Sequence, residues 1–189
     1  LNVLPRKVFM VFINFFKFLT GKHKIYKCFA EQLENIGFWE WSIWVMLHVR
    51  DDNYRESAIE ELLYRHIRID DELSKEYSQK ETFVVERLGV PKQWIYWSKA
   101  MRSKAMNNHQ LELKYLLKAK HWNMAHDVMI QHIVPDLIIN DHKSSLKSLL
   151  KHFLDTKNIQ CWNTQGRVLQ AYINLNEKVI MTGFFLLNY

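Results

Sequence analysis

The feature that most constrains this chain is a pair of apolar stripes in residues 114–133. They consist of Tyr115, Leu116 and Ala119, followed by Trp122, Ala125 and Met129. Spacings of three and four residues place each set on one face of an α-helix. The joint between them, Lys120-His121, has room only for a tight turn. The segment therefore predicts a helical hairpin whose two legs pack through their apolar faces.

A second copy of this pattern lies about eighty residues upstream, near twice the period of a typical hairpin repeat. Leu33, Ile36, Trp39, Ser42, Val45, Met46 and Leu47 match Leu116, Ala119, Trp122, Ala125, Val128, Met129 and Ile130 in order. A tryptophan stands at both corners, and a small residue three positions later lets the next helix approach. We interpret Leu33, Trp39, Ser42, Val45, Leu116, Trp122, Ala125 and Val128 as a structural repeat. Chance agreement between two amphipathic hairpins is the alternative.

The repeat makes Trp39 and Trp122 equivalent corner residues, which we expect to be largely buried. Replacing either by alanine should then cost ~3–5 kcal/mol of stability. A loss below ~1 kcal/mol at both positions would indicate surface residues and an accidental repeat.

Composition favours a packed helical protein. The chain has 189 residues, of which 48% are hydrophobic and only 5 are Gly and 3 Pro, so disorder is excluded and short joints are expected. No segment alternates apolar and polar residues as a strand would. We predict an all-α fold of about ten antiparallel helices, arranged as a single helical-hairpin solenoid over residues 1–189.

Several element boundaries follow from local signals. A helix should begin after Asn53, which forms a capping-box pattern with Glu56, and another after Ser78. Residues 68–78 are polar and read as a surface loop. Trp94, Trp97, Met101 and Ala105 predict the inner face of one helix. Pro135 is expected to end the hairpin that contains Trp122.

The two ends are apolar. Residues 8–19 are too short and too interrupted by Asn14 and Lys17 to span a membrane, so we predict a buried helix and no transmembrane segment. Residues 184–187 close the chain with four apolar side chains. The first residue is Leu1, which suggests a piece of a longer chain. Uncapped solenoid ends of this kind predict surfaces for partners.

No group of residues predicts catalysis or cofactor binding. His121, His126 and His132 are spaced by five and six residues, so they do not share a helix face as zinc ligands would. Cys28 and Cys161 lack a neighbouring His or second Cys, and the five glycines are isolated. We expect no metal, no cofactor, no small-molecule substrate and no enzyme activity.

The basic residues leave an alternative open. Lys143, Lys147 and Lys151 recur every fourth residue, and the formal net charge is +6. An RNA-binding face would use such a row, but the interleaved aromatics typical of base stacking are missing. We favour a solvated helix face and expect no nucleic acid partner.

Several joined segments resemble a known family. They are residues 34–49, ENIGFWEWSIWVMLHV; 55–66, RESAIEELLYRH; 81–100, ETFVVERLGVPKQWIYWSKA; and 118–140, KAKHWNMAHDVMIQHIVPDLIIN. In order and spacing they are similar to the C-terminal α-solenoid of nucleoporin ninety-six, the C-terminal product of the Nup-ninety-eight/ninety-six precursor. The resemblance covers residues 29–175, with weaker agreement at 146–150, Trp162 and 171–173. Residues 1–27 and 176–189 match poorly.

This resemblance implies a scaffold subunit of the Y-shaped subcomplex of the nuclear pore, at the nuclear envelope. Such a subunit supports transport of protein and mRNA between nucleus and cytoplasm. The family's solenoid is related to vesicle-coat proteins, and its tail joins two other large nucleoporins at the hub of the Y. The family contributes no catalytic residues, and we assign no partner contact to a single position. An RNA-binding or general protein-interaction repeat, or a helical enzyme domain, would be the alternatives.

Overall fold

The computed structural model describes residues 23–69, 74–153 and 158–187, with side chains for 24–69, 74–153 and 158–179. The helices are α1 (His23–Asn35), α2 (Trp39–Met46), α3 (Asp52–His66), α4 (Lys75–Thr82), α5 (Lys92–Ala105), α6 (His109–Ala119), α7 (Trp122–Val128), α8 (Val134–Ile139), α9 (Lys143–Leu150) and α10 (Gly166–Leu187). Two π-helical turns, Phe83–Arg87 and Met129–Ile133, extend α4 and α7. Across these described ranges there is no strand, so the all-α prediction is confirmed.

The chain divides into two compact units, Leu1–Lys99 and Ala100–Tyr189. In the first unit α2 packs against α1, α3 and the π turn after α4. Ile43 of α2, Ile59 and Leu63 of α3 and Val84 of the π turn are wholly buried at its centre. In the second unit α6 packs against α7 and its π turn, and α9 packs against α8 and α10. Consecutive helices therefore pair in both units, while a single continuous solenoid stays a prediction.

Two predicted helix starts are wrong. Asp51, not Asn53, caps α3, and its carboxylate accepts a hydrogen bond of 3.0 Å from the Tyr54 N–H. Ser74, not Ser78, caps α4 by accepting one of 3.2 Å from the Tyr77 N–H. The predicted surface loop therefore ends before Lys75, because Tyr77 is buried and holds the first turn of α4 against the core.

The predicted helix end at Pro135 is also wrong, because α7, the π turn and α8 run without a break. Pro135 has no N–H to donate and its ring clashes with the preceding helical turn. The π turn, in which the Val134 N–H donates to the carbonyl of Met129, lies immediately before it. This wider turn accommodates the proline inside one helix.

The inner face of α5 differs from the predicted one. Trp94, Trp97 and Met101 are only half-buried and Ala105 is exposed. The buried residues are instead Ile95, Ser98, Lys99, Ala100 and Ser103. Lys99 is buried because its Nζ lies 3.1 Å from Glu81 Oε1. The spacing of apolar residues predicted the wrong face because that rule places every lysine on the exposed side. Lys99 can be buried because a carboxylate neutralises its charge.

Four helices end in the same way. A residue with positive φ stands after α1, α5, α6 and α8, namely Gly37, Asn107, Lys120 and Asp141. The following N–H then donates to a carbonyl five residues back, in the pairs Phe38–Leu33, Asn108–Ser103, His121–Leu116 and His142–Leu137. This is the Schellman arrangement, which satisfies carbonyls that the helix end would leave free.

Gly37→Ala should lower the free energy of unfolding by ~1–2 kcal/mol, because an L-residue at φ 87° is strained. No atom lies within 4 Å of the added Cβ, so the loss would be conformational rather than steric. Lys120→Gly, at φ 63°, should raise stability by up to ~1 kcal/mol for the same reason. Chemical denaturation measures the free energy of unfolding of both variants. Changes of the same sign would contradict the positive-φ geometry assigned to these two positions.

Candidate interaction site

The eight residues of the predicted repeat lie at corresponding points of two hairpins. Trp39 and Trp122 are the first residues of α2 and α7, directly after the Schellman turns. Leu33, Trp39, Ser42, Val45, Leu116 and Ala125 are buried, whereas Trp122 and Val128 are half-buried. The two corners share their backbone geometry and differ in how far the tryptophan is covered. The repeat as a functional unit stays a prediction.

The small residue after each corner sits where two helices come close. Ser42 is fully buried, and its hydroxyl donates a hydrogen bond of 2.7 Å to the carbonyl of Ala30 in α1. Ala125, at the matching position of α7, is also fully buried. A larger side chain at either place would push the legs of its hairpin apart.

The Trp39 ring of α2 contacts two other helices, α3 and α4. Its indole stacks on His66 of α3, with centroids 5.6 Å apart and planes 6° from parallel. The other stacked neighbour is Tyr77 of α4, at 5.9 Å and 22°. The Tyr77 hydroxyl accepts a hydrogen bond of 2.9 Å from the Arg68 N–H. Trp39 is 5% exposed, so the stacked column of His66, Trp39 and Tyr77 is part of the core and not an open binding surface.

Glu34 of α1 contacts the His66 end of this stacked column. It accepts two hydrogen bonds from Arg65, Nε to Oε1 at 2.7 Å and Nη2 to Oε2 at 2.9 Å. His66 Nε2 lies 2.7 Å from the same Oε1. The hydrogen bonds from Arg65 are the main reason that the pKa of Glu34 is lowered, although partial burial opposes them. The carboxylate therefore remains ionised and ties α1 to α3.

Glu34→Gln should destabilise the chain by ~1–2 kcal/mol at neutral pH, because it removes a charge-assisted bidentate pair. A lowered pKa stabilises the folded state above the unfolded value of 4.5, and this stability is lost as the pH falls below that value. The difference between wild type and variant should therefore shrink on acidification. Denaturation at neutral pH and near pH 3 measures it.

Glu61→Gln is the matched control for this variant. Glu61 also bonds Arg65, at 2.7 Å, but its side chain is 68% exposed. Its loss should cost less than ~0.5 kcal/mol. Equal losses at Glu34 and Glu61 would show that the pair with Glu34 is no more than a surface ion pair.

A groove of about 450 Å³ opens beside this pair. Its floor contains Ala30, Met46, Ala58 and Leu62, and its rim carries Lys27, Glu31, Glu34, Glu61 and Arg65. The three carboxylates are engaged by cations: Glu31 lies 4.0 Å from Lys27, and the other two bond Arg65. The charged groups of this rim therefore pair with one another across α1 and α3.

Three histidines, His109, His126 and His132, make packing contacts. His109 and His132 stack with centroids 3.7 Å apart, and His109 Nδ1 lies 3.0 Å from the buried Glu112. His126 is fully buried beside Trp162, and desolvation lowers its pKa. Within the part of the chain that the structure describes, no three His, Cys, Asp or Glu side chains converge on a metal position.

The lysine row is partly neutralised. Lys143 Nζ lies 2.8 Å from Asp141, whose hydrogen bond raises the lysine pKa, and Lys147 Nζ lies 2.6 Å from Glu177. Lys114 and Lys118 lie over the ring of Tyr115, 5.6 and 5.8 Å from its centroid. These contacts direct four basic groups toward the protein's own side chains, which weakens the RNA-binding alternative.

Sequence comparison identifies the family. The model of the family described as Nuclear protein 96, Nup96, matches residues 20–102. The Nuclear pore complex protein Nup98-Nup96 of Drosophila melanogaster is 42% identical over 154 residues, which cover 79% of this chain. The chain therefore contains a nucleoporin region of the Nup96 family. The predicted resemblance to this family is confirmed.

More distant relatives agree with this assignment. The Nup98-Nup96 protein of Dictyostelium discoideum is 32% identical over 162 residues, or 83% of this chain. Nucleoporin NUP145 of Saccharomyces cerevisiae is 24% identical over 153 residues, or 78% of it. The chain spans 8% of the length of the Drosophila and Dictyostelium proteins and 11% of the yeast protein. None of the helices in the described ranges is long and apolar enough to cross a membrane.

Proposed function

We propose that this Nup96-type region is a structural part of the nuclear pore complex, within the Y-shaped scaffold that supports transport of protein and mRNA. The observation that carries the proposal is the 42% identity to a protein named for that complex over 154 residues. The helical hairpins and their interhelical ion pairs suit a rigid scaffold segment.

The proposed partners are other nucleoporins, including the two that meet this type of tail at the hub of the Y. The charged groups of the described residues support binding over catalysis, because the carboxylates of the groove are held in ion pairs. We propose that the chain is not an enzyme and has no small-molecule substrate.

Localisation tests the proposal directly. The protein that contains this chain, tagged at its own locus, should form a punctate rim at the nuclear envelope. The chain should co-elute with the two hub nucleoporins in size-exclusion chromatography. A diffuse signal together with separate elution would contradict the proposal. RNA binding that falls steeply between low and moderate salt would favour the alternative function instead.

A further inference from the structure

The first observation is a histidine that is buried without a hydrogen-bond partner. His126 of α7 is 0% exposed, and neither Nδ1 nor Nε2 has a partner among the residues that the structure describes. The Oδ1 atom of Asp127 lies 3.8 Å from Nδ1, which is too far for a hydrogen bond. Buried polar atoms are nearly always hydrogen-bonded, so two unpartnered nitrogens in one ring require an explanation.

The second observation is the aromatic cover over this ring. Trp162, which precedes α10, and Phe153, which follows α9, have ring centroids 5.6 and 6.4 Å from that of His126. Both aromatic side chains are 4% exposed. The Gln160 N–H donates a hydrogen bond of 2.9 Å to Asn123 Oδ1 of α7, which holds the chain beside Trp162 against the same helix. The imidazole is therefore enclosed between α7 and two apolar rings.

Trp162 also contacts the first residue of α10. A Cβ added at Gly166 would lie 2.5 Å from Cδ2 of the indole, so the backbone of Gly166 packs directly on the ring. Because packed groups of this kind move together, a shift of Trp162 away from α7 would also move the start of α10.

Burial makes the charged form of His126 unfavourable. Desolvation lowers the pKa of the ring from its ordinary value of 6.5, and the attraction of Asp127 opposes this only in part. That carboxylate is 68% exposed, so water screens its charge. An imidazolium also needs acceptors for two N–H groups, and the aromatic faces of Trp162 and Phe153 attract a cation without replacing those hydrogen bonds.

We propose that His126 makes a pH-sensitive contact: a proton taken up from solvent by its ring releases Trp162 and Phe153 from α7 and loosens the start of α10. The closed contact is fully stable above pH 6.5, the ordinary value, and loses stability as the pH falls below it, since the open form binds the proton more readily. The inference goes beyond the proposed function and does not rest on it.

A second pair of histidines in the same unit offers a competing origin for a pH response. The rings of His109 and His132 are stacked with centroids 3.7 Å apart, and His109 Nδ1 lies 3.0 Å from a carboxylate oxygen of Glu112. His109 begins α6, and His132 lies in the π turn that packs on α6. A response from this pair would therefore appear in α6, whereas a response from His126 would appear at the start of α10.

Hydrogen exchange of the full chain, corrected for the intrinsic exchange rate, measures local opening at each pH. Between about pH 7.5 and about pH 5.5, the opening constant of α7 and of the start of α10 should rise by up to ~10-fold. This rise should disappear in His126→Phe, which keeps an aromatic ring but has no nitrogen to protonate. The absence of a rise in the wild type, or an equal rise in the variant, would overturn the proposal.

Two other substitutions serve as controls. His152 is exposed one residue before Phe153, and its Nδ1 lies 2.9 Å from the carbonyl oxygen of Ser148. His152→Gln should therefore keep the wild-type pH response. His132→Gln should also keep the response at the start of α10. A response that is lost in His132→Gln and retained in His126→Phe would place its origin in the stacked pair and overturn the proposal.

A measurement on the wild-type chain decides the question if His126→Phe fails to fold. Circular dichroism at neutral pH shows whether the variant keeps its helicity. In the wild type, the NMR signals of the His126 ring should be mostly those of the neutral form at about pH 6, where an ordinary imidazole is mostly protonated. A ring that is mostly protonated at that pH, with the chain still closed, would overturn the proposal.

Discussion

Trp39→Ala is expected to lower the free energy of unfolding by ~3–5 kcal/mol, a large share of the stability of a small unit. The indole is 5% exposed and stacks on both His66 and Tyr77, so its loss leaves a cavity shared by α2, α3 and α4. Trp122→Ala should cost only ~1–2 kcal/mol, because that ring is half-buried. This result would separate two corners that the sequence pattern treats as equal.

Hydrogen exchange combined with urea denaturation is the suitable measurement, because a chain of two units need not unfold in one step. Protection should fall in α1 to α4 for Trp39→Ala and in α6 to α8 for Trp122→Ala. Tyr64→Ala, at a side chain 49% exposed on α3, is the control and should stay within ~0.5 kcal/mol of wild type. A loss at Trp39 no larger than at Tyr64 would contradict the stacked column.

Ser42→Leu is expected to cost ~3 kcal/mol, since it adds bulk to a fully buried position and removes a buried hydrogen bond. The carbonyl of Ala30 would then lose the 2.7 Å bond it accepts from the Ser42 hydroxyl. Ala125→Leu should cost ~1–3 kcal/mol from overpacking alone, because no hydroxyl is lost. Thermal and urea unfolding of both variants give the comparison.

Ser57→Leu is the matched control, because Ser57 is exposed on α3. It should change stability by no more than ~0.5 kcal/mol. If Ser42→Leu and Ala125→Leu both behave like Ser57→Leu, then small residues are not required at the hairpin corners. The packing argument for the repeat would then be lost.

The helix boundaries show how far local signals can be read. α1 is closed at Gly37, because a glycine with positive φ ends a helix through bonds to nearby residues. The starts of α3 and α4 were missed by two and four residues. Asp51 caps the free N–H groups of α3, and Ser74 caps those of α4. The sequence does not show which of several capping side chains near a helix start is used.

The ion pairs of the candidate site were not predicted. Glu34 lies about thirty residues from Arg65 and His66, and Lys80 Nζ donates a hydrogen bond of 2.9 Å to the carbonyl of Gly37 across a longer separation still. No spacing rule links such residues. The sequence beside the corner tryptophan offers only Glu34 and Glu40 as charged residues, and neither names its partner.

The sequence by itself determined the helical fold class, the two corner hairpins, the tight turn at Lys120 and the Nup96 family. These features depend on residues within about one or two helical turns of each other, or on similarity along the chain. Only the tertiary structure decided that Trp39 is covered while Trp122 is half open, that Lys99 is buried, and that His126 is enclosed beside Trp162. Those outcomes depend on which helices meet and at what angle, because side chains far apart in sequence bury each other only after the helices have packed.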